Sequence, residues 1–359
     1  MDKILVQGQY NKAEIFSDLR DEGSIEQIRL LCNDETYKDA KIKVMPDYHK
    51  GSGCVIGLTM KMPLNGIVDP NFVGVDISCG VLAVKLSKKP NLSDVDEICH
   101  KYIPSGFNSH REPIADTEKY FQRLKAKLRD HSKLALQLGS LGGGNHFIEI
   151  DKSENDYYLV IHSGSRNTGL QIAEYYYKQY QNHELNMKDY LNDIIVMNEY
   201  AHENRALMAK ILLKRLKIDA IENIESVHNY IEVNDDNIII RKGAISAKQN
   251  EKCIIPLNMR DGTIIGTGKS NEDWNCSAPH GAGRVLSRSE AKSKISLEKF
   301  EQSMKGIYST TVCKGTLDEA PMAYKPKKYI LDQIDQTIDI IDVMKPIYNF
   351  KAVTEKRRK

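Results

Sequence analysis

Short apolar runs rich in β-branched residues recur along the chain at 41–44, 81–86, 147–150, 158–161, 238–241, 253–257 and 263–265. Their length and composition predict strands. Glycine clusters at 51–57, 74–80, 139–144, 164–169, 262–268 and 281–283 flank them. Glycine at a strand end lets the backbone come close to a ligand. Helical spacing of apolar residues occurs in three other places. One is 116–130, with Phe121, Leu124 and Leu128; the others are 190–216 and 328–344. Strand and helix patterns do not alternate strictly. That disfavours a doubly wound parallel sheet and predicts an α+β architecture.

Composition narrows the class. The chain has 359 residues, 41% hydrophobic and 28% charged, and a formal net charge of +2. It reads as a globular protein with a substantial core. A charge so near neutrality means that any nucleic-acid site must be a local basic patch. No apolar stretch reaches the roughly 18 residues of a membrane span, and the N-terminal sequence lacks a signal-peptide core. No membrane association is therefore expected. The seven cysteines, Cys32, Cys54, Cys79, Cys99, Cys253, Cys276 and Cys313, form no CxxC pair. An odd, scattered set in a long chain predicts free thiols in a reducing cytoplasm. The last residues, EKRRK, predict a solvated basic tail.

Four segments set metal-ligand residue types beside glycine or a strand end. VGVDISCG holds Asp76 and Cys79, LGGGNHFIE holds His146, VIHSGSRNTG holds His162 and SVHNY holds His228. Each residue alone has an ordinary structural explanation; the case rests on the set. A carboxylate, a thiolate and three imidazoles could hold one divalent transition metal, or two if the sulfur bridges. Manganese and zinc fit equally at this level.

In NCSAPHGAGR, His280 stands between Pro279 and the turn Gly281-Ala282-Gly283. Such a turn exposes an imidazole and bare amides suited to phosphate oxygens. Arg284 and Arg288 follow at a spacing that would set both on one helical face. A histidine here can attack a phosphoryl group or act as a general base or phosphate hydrogen bonder; residue chemistry ranks these equally. No GxxxxGK[ST] loop and no GxGxxG fingerprint compete.

Taken in order, MPDYHKGSGCVIG, VGVDISCG, LGGGNHFIE, HSGSRNTG, HNY, RKGAISA, PHGAGR and DEAPMAYK resemble the RtcB-type RNA-splicing ligases. The likeness runs from about residue 40 to about 351 and implies one large domain over 1–351, with central mixed β-sheets flanked by helices, then the tail 352–359. It implies a GTP- and manganese-dependent ligase for RNA repair or tRNA splicing. Ends bearing a 2′,3′-cyclic phosphate or 3′-phosphate would be joined to 5′-hydroxyl ends through a guanylylated histidine, His280. Two Mn²⁺ ions would be bridged by Cys79, with His146 and His162 completing one site and Asp76 and His228 the other. Asn145, Glu149, Asn258, Tyr324 and Lys351 would hold GTP with His280, Gly281, Ala282 and Gly283. Arg166, Asn167, Arg284 and Arg288 would hold RNA, with Arg205, Arg241 and Lys242 as further candidates; Asp47 and His49 would lie behind the ligands or face RNA.

The chain departs from many members in two places. PLNMRDG (256–262) stands where they carry PGSMG, so Asn258, Arg260 or Asp261 would replace serine contacts, and the segment between Lys85 and Leu138 is short. The resemblance leaves room for an activating protein partner, and a monomer is the expectation. A metallophosphoesterase that opens RNA ends without sealing, and a non-catalytic RNA-end binder, are the competing readings.

Overall fold

A computed structural model describes residues 3–353. The chain is α+β, with two large sheets and helices packed around them. The first sheet has six strands, in the order Ile4–Gln7, Lys12–Ile15, Lys41–His49, Ile56–Pro63, Asn237–Lys242 and Asn229–Val233. It is mixed, because Lys12–Ile15 runs parallel to Lys41–His49 while its other pairs are antiparallel. The second has seven strands, antiparallel throughout, in the order Lys252–Asn258, Gly262–Gly268, Ile338–Phe350, Phe147–Lys152, Tyr157–Ser163, Gly80–Leu86 and Ala220–Val227. Its outer strands approach one another, with Ile254 N donating to Ser226 Oγ at 3.0 Å. All seven expected strand runs lie inside observed strands.

The 30-residue helix Met187–Leu216 contains the expected 190–216 segment. Asn186 caps its start by accepting from Asp189 N. Its face bearing Met208, Ala209 and Leu212 packs with Leu82, Val84, Ile148 and Ile161 of the seven-stranded sheet. Burying each such side chain contributes roughly 1.5–3 kcal/mol, Ala209 less.

Two helical expectations fail. Within 116–130 only Glu118–Phe121 is helical. The backbone amides of Lys125 and Ala126 donate to the buried Asp193 carboxylate, both at 2.8 Å. That carboxylate offers the chain an alternative to helical bonding, and Leu124 and Leu128 pack against the core from turns. In 328–344 a helix spans Lys327–Gln333, and the rest enters the strand Ile338–Phe350. Ile338, Ile340 and Val343 pair there with Gly268, Gly266 and Ile264. The β-branched run favours the ladder, and short apolar spacing does not separate the two states.

Of the tail expected at 352–359, residues 354–359 lie outside the described part. Among the described residues, no helix is long and apolar enough to cross a membrane.

Candidate active site

Four adjacent strands of the seven-stranded sheet end at one place. Phe147 pairs with His162, and Gly80 pairs with both Ser163 and Val227. His146 immediately precedes its strand, His162 lies near the end of the next, Cys79 precedes Gly80, and His228 follows Val227. The strand order therefore sets four donors in a row. Asp76 joins them through a tight turn in which Ser78 takes φ 58° and Cys79 N donates to Asp76 O at 3.2 Å. Gly164 makes room for it, since a Cβ there would lie 2.2 Å from Asp76 Oδ1.

The donor atoms converge. Cys79 Sγ is 3.2 Å from His146 Nε2 and 3.2 Å from His162 Nε2. His162 Nε2 is 3.3 Å from His228 Nε2, and His146 Nε2 is 2.9 Å from Asp76 Oδ2. Ligands about 2.1 Å from a common ion stand roughly 3.0–3.5 Å apart in octahedral or tetrahedral geometry, so the spacing suits a cation. His162 Nδ1 lies 3.2 Å from Asn145 O, which favours the proton on Nδ1 and a lone pair on Nε2. Burial, reinforced by neighbouring imidazoles, holds His162 and His228 well below the ordinary histidine value and thus neutral. Burial, with the Asp76 carboxylate next, pushes the Cys79 thiol well up, so a thiolate there calls for a cation.

Two groups emerge, Cys79 with His162 and His228, and Asp76 with Cys79 and His146. Cys79 belongs to both. The partition differs from the one expected, which joined His146 with His162 and Asp76 with His228. Strand order explains it: Gly80–Leu86 lies between the strands bearing His162 and His228, while Asp76 reaches His146 through the Gly164 gap.

Side chains outside the set hold its loops. Arg205, fully buried, donates through Nη1 to Ser78 O at 3.0 Å and Ser163 O at 2.7 Å, with Nε on Glu225 at 2.6 Å. Asn229 accepts from Gly243 N at 3.0 Å and donates to Asp76 O at 3.2 Å.

His280 sits beside this cluster, its ring centroid 4.8 Å from that of His228. Its Nδ1 lies 2.7 Å from Oδ2 of Asp47, a fully buried carboxylate. The same oxygen accepts from the backbone N–H groups of His280 and Gly281 at 3.1 and 3.2 Å. Nδ1 and Oδ2 meet at ion-pair distance without an aligned N–H···O hydrogen bond, and Nε2 is the ring nitrogen turned away from Asp47. Gly283 makes the approach possible: it takes φ 72°, and a Cβ would lie 2.0 Å from Asp47 O. Asp47 thus stands behind His280, and His49 lines the cavity in front. Burial lowers the His49 imidazole to about 4.

A cavity of about 860 Å³ opens from His162 and His280. That falls within the roughly 300–1,000 Å³ of small-molecule sites. Asn145, Glu149, Asn258, Tyr324, Lys351 and the segment 280–283 all line it, with Arg284 and Arg288. The Asn258 side chain is engaged in its own turn, accepting from Arg260 N and Asp261 N and donating to Asp261 Oδ2. Arg260 and Asp261 pair with each other and are not among the lining residues.

The arginines divide. Arg166 takes φ 58° and donates to Ser140 Oγ at 3.1 Å and Gly106 O at 2.6 Å. Asn167 is exposed at the start of the helix Arg166–Gln181. Arg284 and Arg288 do not share a helix. Arg288 begins the helix Arg288–Lys294 after the Ser287 cap, whereas Arg284 bridges to Tyr324. The further RNA candidates are buried instead: Arg205 holds the loops above, Arg241 bonds Ser277, Tyr230 and Glu232, and Lys242 bonds Ser52 O and Asn71 O. Long cationic side chains with buried partners look like surface groups in a sequence.

Comparison with known sequences defines the class. The sequence model of the tRNA-splicing ligase RtcB family matches residues 36–136 and 114–352. The chain is 29% identical over 369 residues to the RNA-splicing ligase RtcB of Escherichia coli (strain K12), covering 87% of this chain and 90% of that protein. It is 26% identical over 421 residues to the tRNA-splicing ligase RtcB of Aeropyrum pernix, covering 86% of each. The chain belongs to the tRNA-splicing ligase RtcB family.

Proposed function

We propose that this chain is a GTP- and manganese-dependent RNA ligase. It joins 2′,3′-cyclic phosphate or 3′-phosphate RNA ends to 5′-hydroxyl ends in RNA repair or tRNA splicing. The observation that carries the reading is the place of His280, with one ring nitrogen against buried Asp47 and its ring between the donor cluster and the cavity.

In the first step, Nε2 of His280 attacks the α-phosphorus of GTP. An N–P bond forms, the bond to the bridging oxygen breaks, and pyrophosphate leaves. A cyclic RNA end is opened by water to a 3′-phosphate. An oxygen of that phosphate attacks the guanylyl phosphorus and returns the imidazole to His280. The 5′-hydroxyl then attacks the RNA phosphate, forming the phosphodiester and releasing GMP.

Asp76, Cys79, His146, His162 and His228 would hold two manganese ions, which would screen phosphate charge. Glu149 would accept from the guanine edge, favouring GTP over ATP. Lys351 and Tyr324 would flank the nucleotide, with Asn145, Asn258, Gly281, Ala282 and Gly283 along the wall. Arg166, Asn167, Arg284 and Arg288 would engage RNA phosphates. We place the protein in the cytoplasm, with the ligase domain over residues 1–351.

The test is a synthetic RNA pair, one strand ending in a 2′,3′-cyclic phosphate and the other in a 5′-hydroxyl. Sealing with Mn²⁺ and GTP, and little with ATP, is expected. Opening of the cyclic end at full rate without GTP, with no sealing under any condition, would replace the ligase with a phosphoesterase.

A further inference from the structure

Part of the cavity wall is tied together by one acidic residue that the sequence did not single out. Glu319 ends the turn Lys314–Glu319 and is 2% exposed. Its Oε1 accepts from Arg288 Nη1 at 2.7 Å and Arg284 Nη1 at 3.3 Å. Its Oε2 accepts from Tyr324 OH at 2.7 Å and Lys351 Nζ at 3.2 Å. These four donors come from the glycine turn after His280, the helix Arg288–Lys294, the segment after the turn Pro321–Ala323, and the end of the strand Ile338–Phe350.

We infer that Glu319 is the positioning residue of the nucleotide wall, a fixed internal anion that aims Lys351 and Tyr324 into the cavity. The inference rests on the reading that this cavity takes GTP. A carboxylate has about four acceptor sites, and here all four are filled. Glu319 therefore has none left for a ligand and acts through its partners. Lys351 uses one N–H on Glu319 and one on Asn145 O at 3.1 Å. Nζ lies 5.3 Å from the centre of the Phe147 ring, and among the described residues it has no third hydrogen-bond acceptor, so one N–H is left for an acceptor on the nucleotide. Tyr324 donates to Glu319 and accepts from Arg284 Nη1 at 3.2 Å. With the hydroxyl engaged on both counts, the ring is what Tyr324 offers to a base or ribose. Burial opposes the Glu319 charge, but Lys351, Arg288 and Arg284 outweigh it and hold the carboxyl at about 2. The anion persists across the working pH range and keeps three neighbouring cations from repelling one another.

Glu319→Gln keeps the shape but turns an N–H toward donors. Adduct formation with Mn²⁺ and GTP labelled in its α-phosphate is followed against GTP concentration, with melting temperature and bound manganese as controls. The half-saturating GTP concentration is expected to rise at least about 10-fold, with the maximal adduct within about threefold of the parent. In Lys351→Met the same shift is expected, and the double variant should exceed Lys351→Met alone by no more than about twofold, because the two residues act as one. If Glu319→Gln does not fold, Glu319→Asp is read the same way, with a smaller rise expected. A folded variant with unchanged GTP dependence, or fully multiplicative losses in the double variant, overturns the inference while the parent still labels. A parent that takes no label overturns the reading of the cavity and this inference with it.

Discussion

At the strand ends, Cys79, His146, His162, His228 and Asp76 form a chain of donor atoms in which successive neighbours stand 2.9–3.3 Å apart, and among the described residues Nδ1 of His146 and of His228 has no partner. Elsewhere on the cavity wall, Glu319 has every acceptor site filled by a neighbour's donor. The first region is incomplete as protein alone. It gathers lone pairs and raises the thiol, an arrangement that a cation would complete. The second is complete before any ligand arrives, because its cations carry their own counterion. On the proposed function the contrast assigns different work to each region: one would bind by donating lone pairs to a metal, the other by holding prepaired side chains with a few donors left over.

Removing the shared sulfur is the strongest way to break this contrast. Cys79→Ala should lower bound manganese from two ions per chain to one or none and cut adduct formation by at least about 10³-fold. Elemental analysis of the purified variant checks the first part and labelled GTP the second. Two ions retained in a folded Cys79→Ala would show that the two donor groups do not depend on a common sulfur.

A smaller effect sharpens the other side. Not every buried carboxyl on the strand that carries Glu149 is compensated. Glu149 accepts from Asn349 Nδ2, but both oxygens of the fully buried Asp151 lack a protein donor among the described residues. Burial raises Asp151 to about 7, from an ordinary 3.8. A carboxyl raised by folding contributes stability that is present below the ordinary value and lost as pH climbs through about 7. Asp151→Asn should therefore be more stable than the parent at pH 9, by on the order of 2 kcal/mol, with the advantage shrinking toward pH 5. Denaturant midpoints across that range measure it. A variant no more stable than the parent at pH 9 would mean that Asp151 is compensated after all.

Much of this was legible in the chain because the informative residues are local. Val81–Leu86 and its counterparts are β-branched runs whose length suits a strand, and Cys79, His146 and His162 sit beside three of them, whereas the strand before His228 was not expected and Asp76 stands in a turn. Which donor meets which was not legible. The partition depends on the order of four strands drawn from widely separated parts of the chain, and no local spacing encodes it. The spacing of Arg284 and Arg288 reads as helical when taken alone, whereas the local capping box of Ser287 and Glu290 starts the helix only at Arg288. Glu319 escaped notice although it lies in a recognisable segment, DEAPMAYK. Its significance lies in partners at 284, 288, 324 and 351, and an acidic residue beside another acidic residue ordinarily signals a solvated turn. Arg205 and Arg241 misled in the opposite direction: their buried acceptors turn apparent phosphate binders into braces.

The central claim is that His280 carries the guanylyl group. Purified protein with Mn²⁺ and GTP labelled in the α-phosphate should form a covalent adduct that is acid-labile and alkali-stable, as expected of an N–P bond, and His280→Ala should form none while keeping its manganese and its melting temperature. Equal labelling of the parent and His280→Ala would contradict the account.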